Sequence, residues 1–278
     1  MKNLLLFLKG FLMGICDLIP GISGGTIAFI TGIYEKLIES IKNLFNLIFY
    51  PFSFLIRKSK FIKKEKVDWK FLFILFFGIF SAIFLGSKII KFLLDNYYIY
   101  TISFFIGLIL ASSKIIFNNI KNHKIKNILF GFIGLIIGIS LSFLIPLNIN
   151  PSYSYVFLGG FLAISALFLP GISGAFILLI LGLYEFMINV LNNILDKIDY
   201  FIFFLLGAIL GAFFISRLIS FLFKKDKCKT LYFLLGIVIG ALSVPVKTII
   251  NFKTNLFLIF LFVFIGGLLV YLFNRYNK

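Results

Sequence analysis

The sequence predicts an all-α polytopic membrane protein made of two inverted repeats, each a re-entrant hairpin followed by three transmembrane helices. Three observations lead there. The chain is 61% hydrophobic and only 13% charged, with a mean hydropathy of +1.11, far from the roughly 25% charged residues of soluble domains. It carries Pro-Gly-Ile-Ser-Gly twice, within LIPGISGGT (18–26) and FLPGISGAF (168–176). Its polar loops sort by charge in a way that fixes which side of a bilayer each faces.

The duplication extends beyond the motif. The 38 residues from Phe7 laid on the 38 from Phe157 give 17 identities without a gap. GIFSAIFLGSK, ending at Lys88, matches GAILGAFFISR, ending at Arg217, and TISFFIGLI from Thr101 matches TLYFLLGIV from Thr230. The halves are therefore 1–150 and 151–278.

Apolar runs long enough to cross a bilayer, about 20 residues in a typical case, lie at 70–92, 100–117, 127–146, 200–222, 231–246 and 255–273. The loops 57–66, 121–126 and 224–229 and the C-terminal tail are basic, 148–154 is uncharged and 195–199 is net acidic. Positive loops stay in the cytoplasm, which puts both termini inside. Three spans per half, an odd number, turn the second half upside down. Lys88, Lys91, Lys247 and Lys253 sit at or near outside ends, against this trend.

The segments 4–34 and 154–184 each have two apolar arms around the Pro-Gly break. Arms of about 15 and about 12 residues reach roughly 18–24 Å, short of a hydrocarbon core of about 30 Å. They read as re-entrant hairpins entering from opposite faces, with two short full spans per motif as the alternative. Residues 36–57 mix charge with apolar side chains and read as a helix in the cytoplasmic interface, ended near Pro51. The N-terminal run reads as retained structure rather than a signal peptide, because Lys9 interrupts it and no small-residue cleavage site follows.

A matched pair of short, Pro/Gly-interrupted segments is the sequence pointer to a transporter's binding site. Gly21, Gly24, Gly25, Gly171 and Gly174 let the backbone turn and a ligand approach it, while Ser23, Thr26 and Ser173 add hydroxyls. Each second arm begins with free N–H groups at the positive end of its dipole, a ready anion site. Lys88 and Arg217 occupy matching places within matching spans and are candidate partners for that anion. Asp17 precedes the first tip and is Leu167 in the copy. It reads as a cap for backbone donors, a proton carrier or a partner of a cation. Glu35 and Glu185 close the repeated GIYE and GLYE and read as ties to neighbouring helices, with proton coupling as the lesser role.

Other chemistries are excluded. Cys16 and Cys228 build neither a disulfide framework nor a zinc spacing, and the lone His123 sits in a polar loop, so no metal site is expected. The +17 charge lies mostly in short loops, where it sets topology and meets anionic lipid rather than nucleic acid. No G-x-x-x-x-G-K-[ST] loop is present for a nucleotide.

The stretch DLIPGISGGTIA from Asp17, followed by GIYE and echoed by LPGISGA and GLYE, resembles the bacterial polyprenyl-phosphate transporter family over essentially the whole chain. That resemblance implies a plasma-membrane carrier that returns undecaprenyl phosphate from the outer to the cytoplasmic leaflet, without a cofactor. A proton or sodium ion is compatible as the coupling ion. Ala175 and Phe176 stand where the first motif has Gly25 and Thr26, which puts the weight on the first tip. PGISGG also resembles the PG-x-S-R-S element of undecaprenyl-pyrophosphate phosphatases, but Gly24 and Gly174 replace the arginine, and Glu35/Glu39 follow the motif instead of standing in that family's usual place. A carrier or channel for a small anion is the remaining alternative.

Overall fold

The computed structural model describes residues 2–19, 22–53, 66–147, 149–250 and 255–276, which are helical nearly throughout, with no strand among them. The first half contains α1 (Lys2–Asp17), α2 (Gly24–Ile30), α3 (Tyr34–Ser53), α4 (Trp69–Asn119) and α5 (Ile125–Ser140). The second contains α6 (Tyr153–Phe168), α7 (Gly174–Ile180), α8 (Tyr184–Asn192), α9 (Ile198–Lys225), α10 (Lys227–Ala241), α11 (Ser243–Ile250) and α12 (Leu256–Tyr276). Four stretches are long and apolar enough to cross a membrane, namely α4, Ile125–Phe143, α9 and Lys227–Ile250; α6 and Leu256–Leu272 are shorter apolar helices.

The expected spans 70–92 and 100–117 run as one helix of 51 residues, broken only at Tyr97 (φ −136°, ψ 35°). The break is a sharp bend. Thr101 Oγ1 lies 3.4 Å from the Leu93 carbonyl oxygen, whereas a straight helix separates residues eight apart by about 12 Å. The run FLLDNYYIYT holds no proline or glycine, so hydrogen bonding continues across the bend instead of opening a loop. The expected span 231–246 likewise continues through α11 to Ile250, with one residue, Leu242, between the two helices.

Glycines decide which helices touch. A Cβ on Gly10, Gly78, Gly160 or Gly207 would overlap a backbone carbonyl of the facing helix, which seats α1 on the first limb of α4 and α6 on α9. Between α5 and α10, a Cβ on Gly138 would stand 2.6 Å from the Ile237 oxygen. Close backbone approach of this kind is how helices pack where lipid removes the hydrophobic drive between them. The third long element of each half packs on the other half: α5 on α10, and α12 on the second limb of α4. The seams are equivalent, since Gly107 faces Val263 and Gly266 faces Phe104 just as Gly236 faces Gly131 and Gly134 faces Phe233. In the repeat match, Gly107 falls on Gly236 and Phe104 on Phe233.

The largest buried cluster joins Ile19, Ile27, Ile38, Leu75, Ile102, Ile219 and Val238, drawn from α2, α3, both limbs of α4, α9, α10 and the end of the first arm. Helix α3 belongs to this core: Tyr34, Leu37, Ile38 and Ile41 are buried. It lies antiparallel along the C-terminal half of α9 and meets the start of α10, with Glu35 at Lys227, Glu39 at Lys224, Asn46 at Arg217 and Phe49 at Phe213. It runs through Pro51 to Ser53; the basic stretch expected at 57–66 lies outside the described residues except for Lys66.

The second arms contain helices of only seven residues, α2 and α7, about 10 Å each. Both end in the same cap. Gly32 and Gly182 take φ +74° and +66°, and Ile33 and Leu183 donate back to Ala28 and Leu178 at 3.0 and 2.8 Å, the left-handed stop that glycine permits. The repeated glycine of GIYE and GLYE is therefore a helix terminator. Past it the chain turns by 108° between α7 and α8.

The cap leaves a carbonyl exposed at each C-terminus, and each half satisfies it differently. Lys9 Nζ donates to the Thr31 oxygen at 2.8 Å, and Tyr155 Oη to the matching Leu181 oxygen at 2.9 Å. A charged donor is worth about 1.5–3 kcal/mol and a neutral one about 1 kcal/mol. Lys9→Met is accordingly expected to lower thermal stability in detergent more than Tyr155→Phe does.

Candidate functional site

The helix that follows the first Pro-Gly motif meets the second motif. Gly171 N donates to Thr26 Oγ1 at 2.8 Å, across 145 positions of chain. A cavity of about 10 Å³ lies beside this contact, lined by Ile22, Thr26, Ile109, Gly171, Val238 and Leu242 among others, room for about one water. Thr26 is the one polar side chain in that lining.

The first tip is built as follows. Ser23 is buried, caps α2, and accepts at Oγ from Gly25 N at 3.2 Å. Its carbonyl accepts from Thr26 N at 2.9 Å. Asp17, the last residue of α1, accepts at Oδ1 from Gly24 N at 2.7 Å. The donors of Gly24, Gly25 and Thr26 are therefore already taken, which corrects the expectation that the arm begins with free N–H groups. The cause is a carboxylate seven residues earlier that the α1–α2 turn folds back onto the helix start, where negative charge is favoured. Of the three readings of Asp17, capping is the one the geometry displays. Pro20 and Gly21, the latter a candidate binding residue, lie outside the described residues.

The second tip is looser. Ser173 stands at the N-cap of α7 without a side-chain cap bond and is half-buried, while Ala175 is exposed. Gly174 is buried, its Cβ position 2.7 Å from the Ala163 oxygen. Gly171 takes φ +92°, and a Cβ there would lie 2.9 Å from Val238 Cα. The tip therefore rests directly on α10.

The two candidate cations are not at the tips. Lys88 is exposed on the first limb of α4. Arg217 lies on the α3–α9 seam, its guanidinium carbon 3.7 Å above the Phe213 ring and an amino group donating to Asn46 Oδ1. Asn46 lies twelve residues along α3 from Tyr34, about 18 Å from the tip end of that helix. Glu35 pairs with Lys227, whereas Glu185 is exposed. No cluster of three metal-ligating side chains occurs among the described residues.

Three participants escaped the sequence reading. Tyr34, in the repeated GIYE, is buried and donates from Oη to the Phe168 oxygen at 2.7 Å. Asn46 holds Arg217, and Lys42 is 8% exposed beside Glu39. The spacing of Glu35, Glu39, Lys42 and Asn46 (4, 3, 4) already marks one helix face, and that polar stripe was the available signal. Beyond this seam, in the loop between α9 and α10, Asp226 caps α10; its hydrogen bonds from Lys229 hold its carboxyl below the usual range.

Comparison with known proteins converges on one family. The model described as VCA0040-like, undecaprenyl phosphate translocase-like, matches residues 13–271. A polyprenyl-phosphate transporter of Vibrio cholerae serotype O1 is 36% identical over 259 residues, 92% of this chain and 82% of that protein. A polyprenyl-phosphate transporter of Staphylococcus aureus is 31% identical over 283 aligned residues, 95% of this chain and 93% of that protein. No solved structure gives a significant match.

Proposed function

The chain belongs to the VCA0040-like, undecaprenyl phosphate translocase-like family, and from that premise we propose that it moves polyprenyl phosphate from the outer to the cytoplasmic leaflet of a bacterial plasma membrane. The observation that carries the reading is the meeting of two duplicated, Pro-Gly-broken hairpins at Thr26 and Gly171. A prenyl tail can remain in lipid throughout, so only the phosphate needs a path, and an unpaired ion in a dry, low-dielectric interior costs tens of kcal/mol by Born estimates.

Packing directions support an inverted repeat with re-entrant hairpins. Helix α1 runs parallel to the first limb of α4 (Gly10 at Leu75, Ile15 at Gly86), and α6 parallel to α9 (Phe157 at Gly207, Phe161 at Gly211). Helix α5 runs parallel to α10 (Gly131 at Tyr232, Gly138 at Ala241), and α12 parallel to the second limb of α4 (Tyr100 at Phe262, Ala111 at Gly267). Following the chain, α1, α4, α5 and α10 then start on one face and α6, α9 and α12 on the other. The first face carries the basic loops 121–126 and 224–229, which makes it cytoplasmic and brings both termini there. On this reading the halves are 1–150 and 151–278, with hairpins at 4–34 and 154–184.

The proposed path for the headgroup runs between the tips, along Ser23, Gly24, Gly25 and Thr26 on one side and Gly171, Ser173 and Gly174 on the other. Gly21 belongs to it by its place in the motif. Arg217, eight residues or about 12 Å from the end of α9, receives the phosphate on the cytoplasmic side; Lys88 is the corresponding cation toward the outside. Anionic lipids gather at the basic face, and a proton or sodium gradient drives the cycle.

The test is uptake of labelled polyprenyl phosphate across proteoliposome leaflets, with and without each gradient, beside an assay for released inorganic phosphate. Arg217→Ala is expected to slow uptake by about tenfold or more, since a charge-assisted hydrogen bond is worth about 1.5–3 kcal/mol. Ser23→Ala, which removes a cap worth about 1 kcal/mol, is expected to slow it severalfold. Release of phosphate would indicate a phosphatase instead. Folded wild-type protein that moves no lipid but takes up inorganic phosphate would indicate a small-anion carrier.

A further inference from the structure

We infer that the first hairpin clasps the second tip through two side chains, Thr26 and Tyr34, which act as positioning residues for that tip. Both reach backbone groups that flank Pro170. Thr26 Oγ1 accepts from Gly171 N at 2.8 Å, and Tyr34 Oη donates to the Phe168 oxygen at 2.7 Å. These groups sit in the break after α6, beyond its regular hydrogen-bond ladder, so side chains must serve them. Thr26 and Tyr34 are 1% and 2% exposed. Neither bond is a surface accident.

The clasp runs one way. In the repeat match Thr26 falls on Phe176 and Tyr34 on Tyr184. A phenylalanine side chain has no oxygen to accept with, and Tyr184 is 41% exposed. The second hairpin therefore does not return either bond, although the helix seams around the two hairpins are equivalent. The first tip has its own support in Asp17 and Ser23. The second has no counterpart to Asp17, because Leu167 stands there, and Ser173 makes no side-chain cap bond. The tip that lacks internal ties is the one held from outside, against α10 at Val238.

Releasing the clasp leaves the Gly171 N–H, beside the apolar cavity, and the Phe168 carbonyl without these partners, which is unfavourable for buried polar groups. The cost falls when another acceptor takes the N–H. A phosphate oxygen does so in place of the Thr26 hydroxyl, so the hydroxyl holds the position between passages; this last step rests on the polyprenyl phosphate reading.

The experiment places a reporter thiol at the second tip, Ser173→Cys, in a background carrying Cys16→Ala and Cys228→Ser. Labelling by a maleimide is followed in proteoliposomes beside uptake of labelled polyprenyl phosphate. Tyr34→Phe keeps the ring packed on Phe29 and Phe223, and Thr26→Val keeps its volume, so both retain the fold while deleting one hydroxyl. Each is expected to raise the labelling rate severalfold, their combination to add little, and Thr26→Ser to restore the parent rate. Equal labelling in all variants overturns the clasp, as does Thr26→Ser behaving like Thr26→Val. Labelling that responds in the reporter protein while wild-type protein, with Ser173 in place, moves no polyprenyl phosphate upholds the clasp and sinks the substrate reading instead.

Discussion

Gly107→Ala and Gly236→Ala are each expected to destabilise the protein by about 1–3 kcal/mol or more, the usual range for overpacking, despite the helix propensity that alanine gains. The added methyl at Gly107 would overlap the Val263 carbonyl, and at Gly236 the Gly131 carbonyl. Backbone cannot rotate out of the way as a side-chain end can, so the facing helix must move off as a whole. These seams join the two halves, so the loss is expected as dissociation of α12 or α5 from its partner. Gly267→Ala is the control, since its Cβ would stand 3.7 Å from the Ala111 methyl, ordinary contact. It is expected to be neutral or to stabilise by up to about 1 kcal/mol, the propensity difference between the two residues. Thermal unfolding of the three variants in one detergent checks this. Equal midpoints would show that the seams give way freely.

Gly171→Ala is expected to reduce polyprenyl phosphate uptake by about tenfold or more, with folded protein still recovered. Two independent penalties meet there. A side chain at φ +92° costs about 1–2 kcal/mol, and the Cβ would press on Val238 Cα at 2.9 Å and the Ile237 oxygen at 3.1 Å. Relief moves the tip away from α10 and lengthens the Thr26 bond. Gly32→Ala separates strain from crowding: φ is +74° but nothing lies within 4 Å of its Cβ. It is expected to lower stability modestly and to leave uptake within a few fold of wild type. Uptake unchanged in Gly171→Ala would remove the second tip from the path.

Much of the helical framework was legible in the chain because its signals are local. Composition marked the long apolar helices, and the Pro-Gly motifs marked the breaks after α1 and α6. The bend at Tyr97 falls between the two apolar runs of the sequence, but hydropathy does not give its form. A loop and a bent helix have the same hydropathy, and the Thr101 hydroxyl that reaches Leu93 leaves no periodic trace. The mixture of charges in α3 points to the membrane interface. Its burial against α9 depends on which partner meets the polar stripe, and spacing along α3 alone does not name that partner.

The sequence by itself determined the membrane class, the duplication and the family, because hydropathy, self-similarity and the motif from Asp17 to Ala28 are properties of residue order. Only the tertiary structure decided what the motif's polar atoms do. Asp17 spends a carboxylate oxygen on Gly24, Arg217 turns to Asn46 rather than to a tip, and Tyr34 and Thr26 reach across more than 130 residues to hold the second hairpin. Duplication copies residue types into two places. Which hydroxyl meets which backbone group depends on how the two copies face each other, and that is set by the glycine seams between helices far apart in the chain.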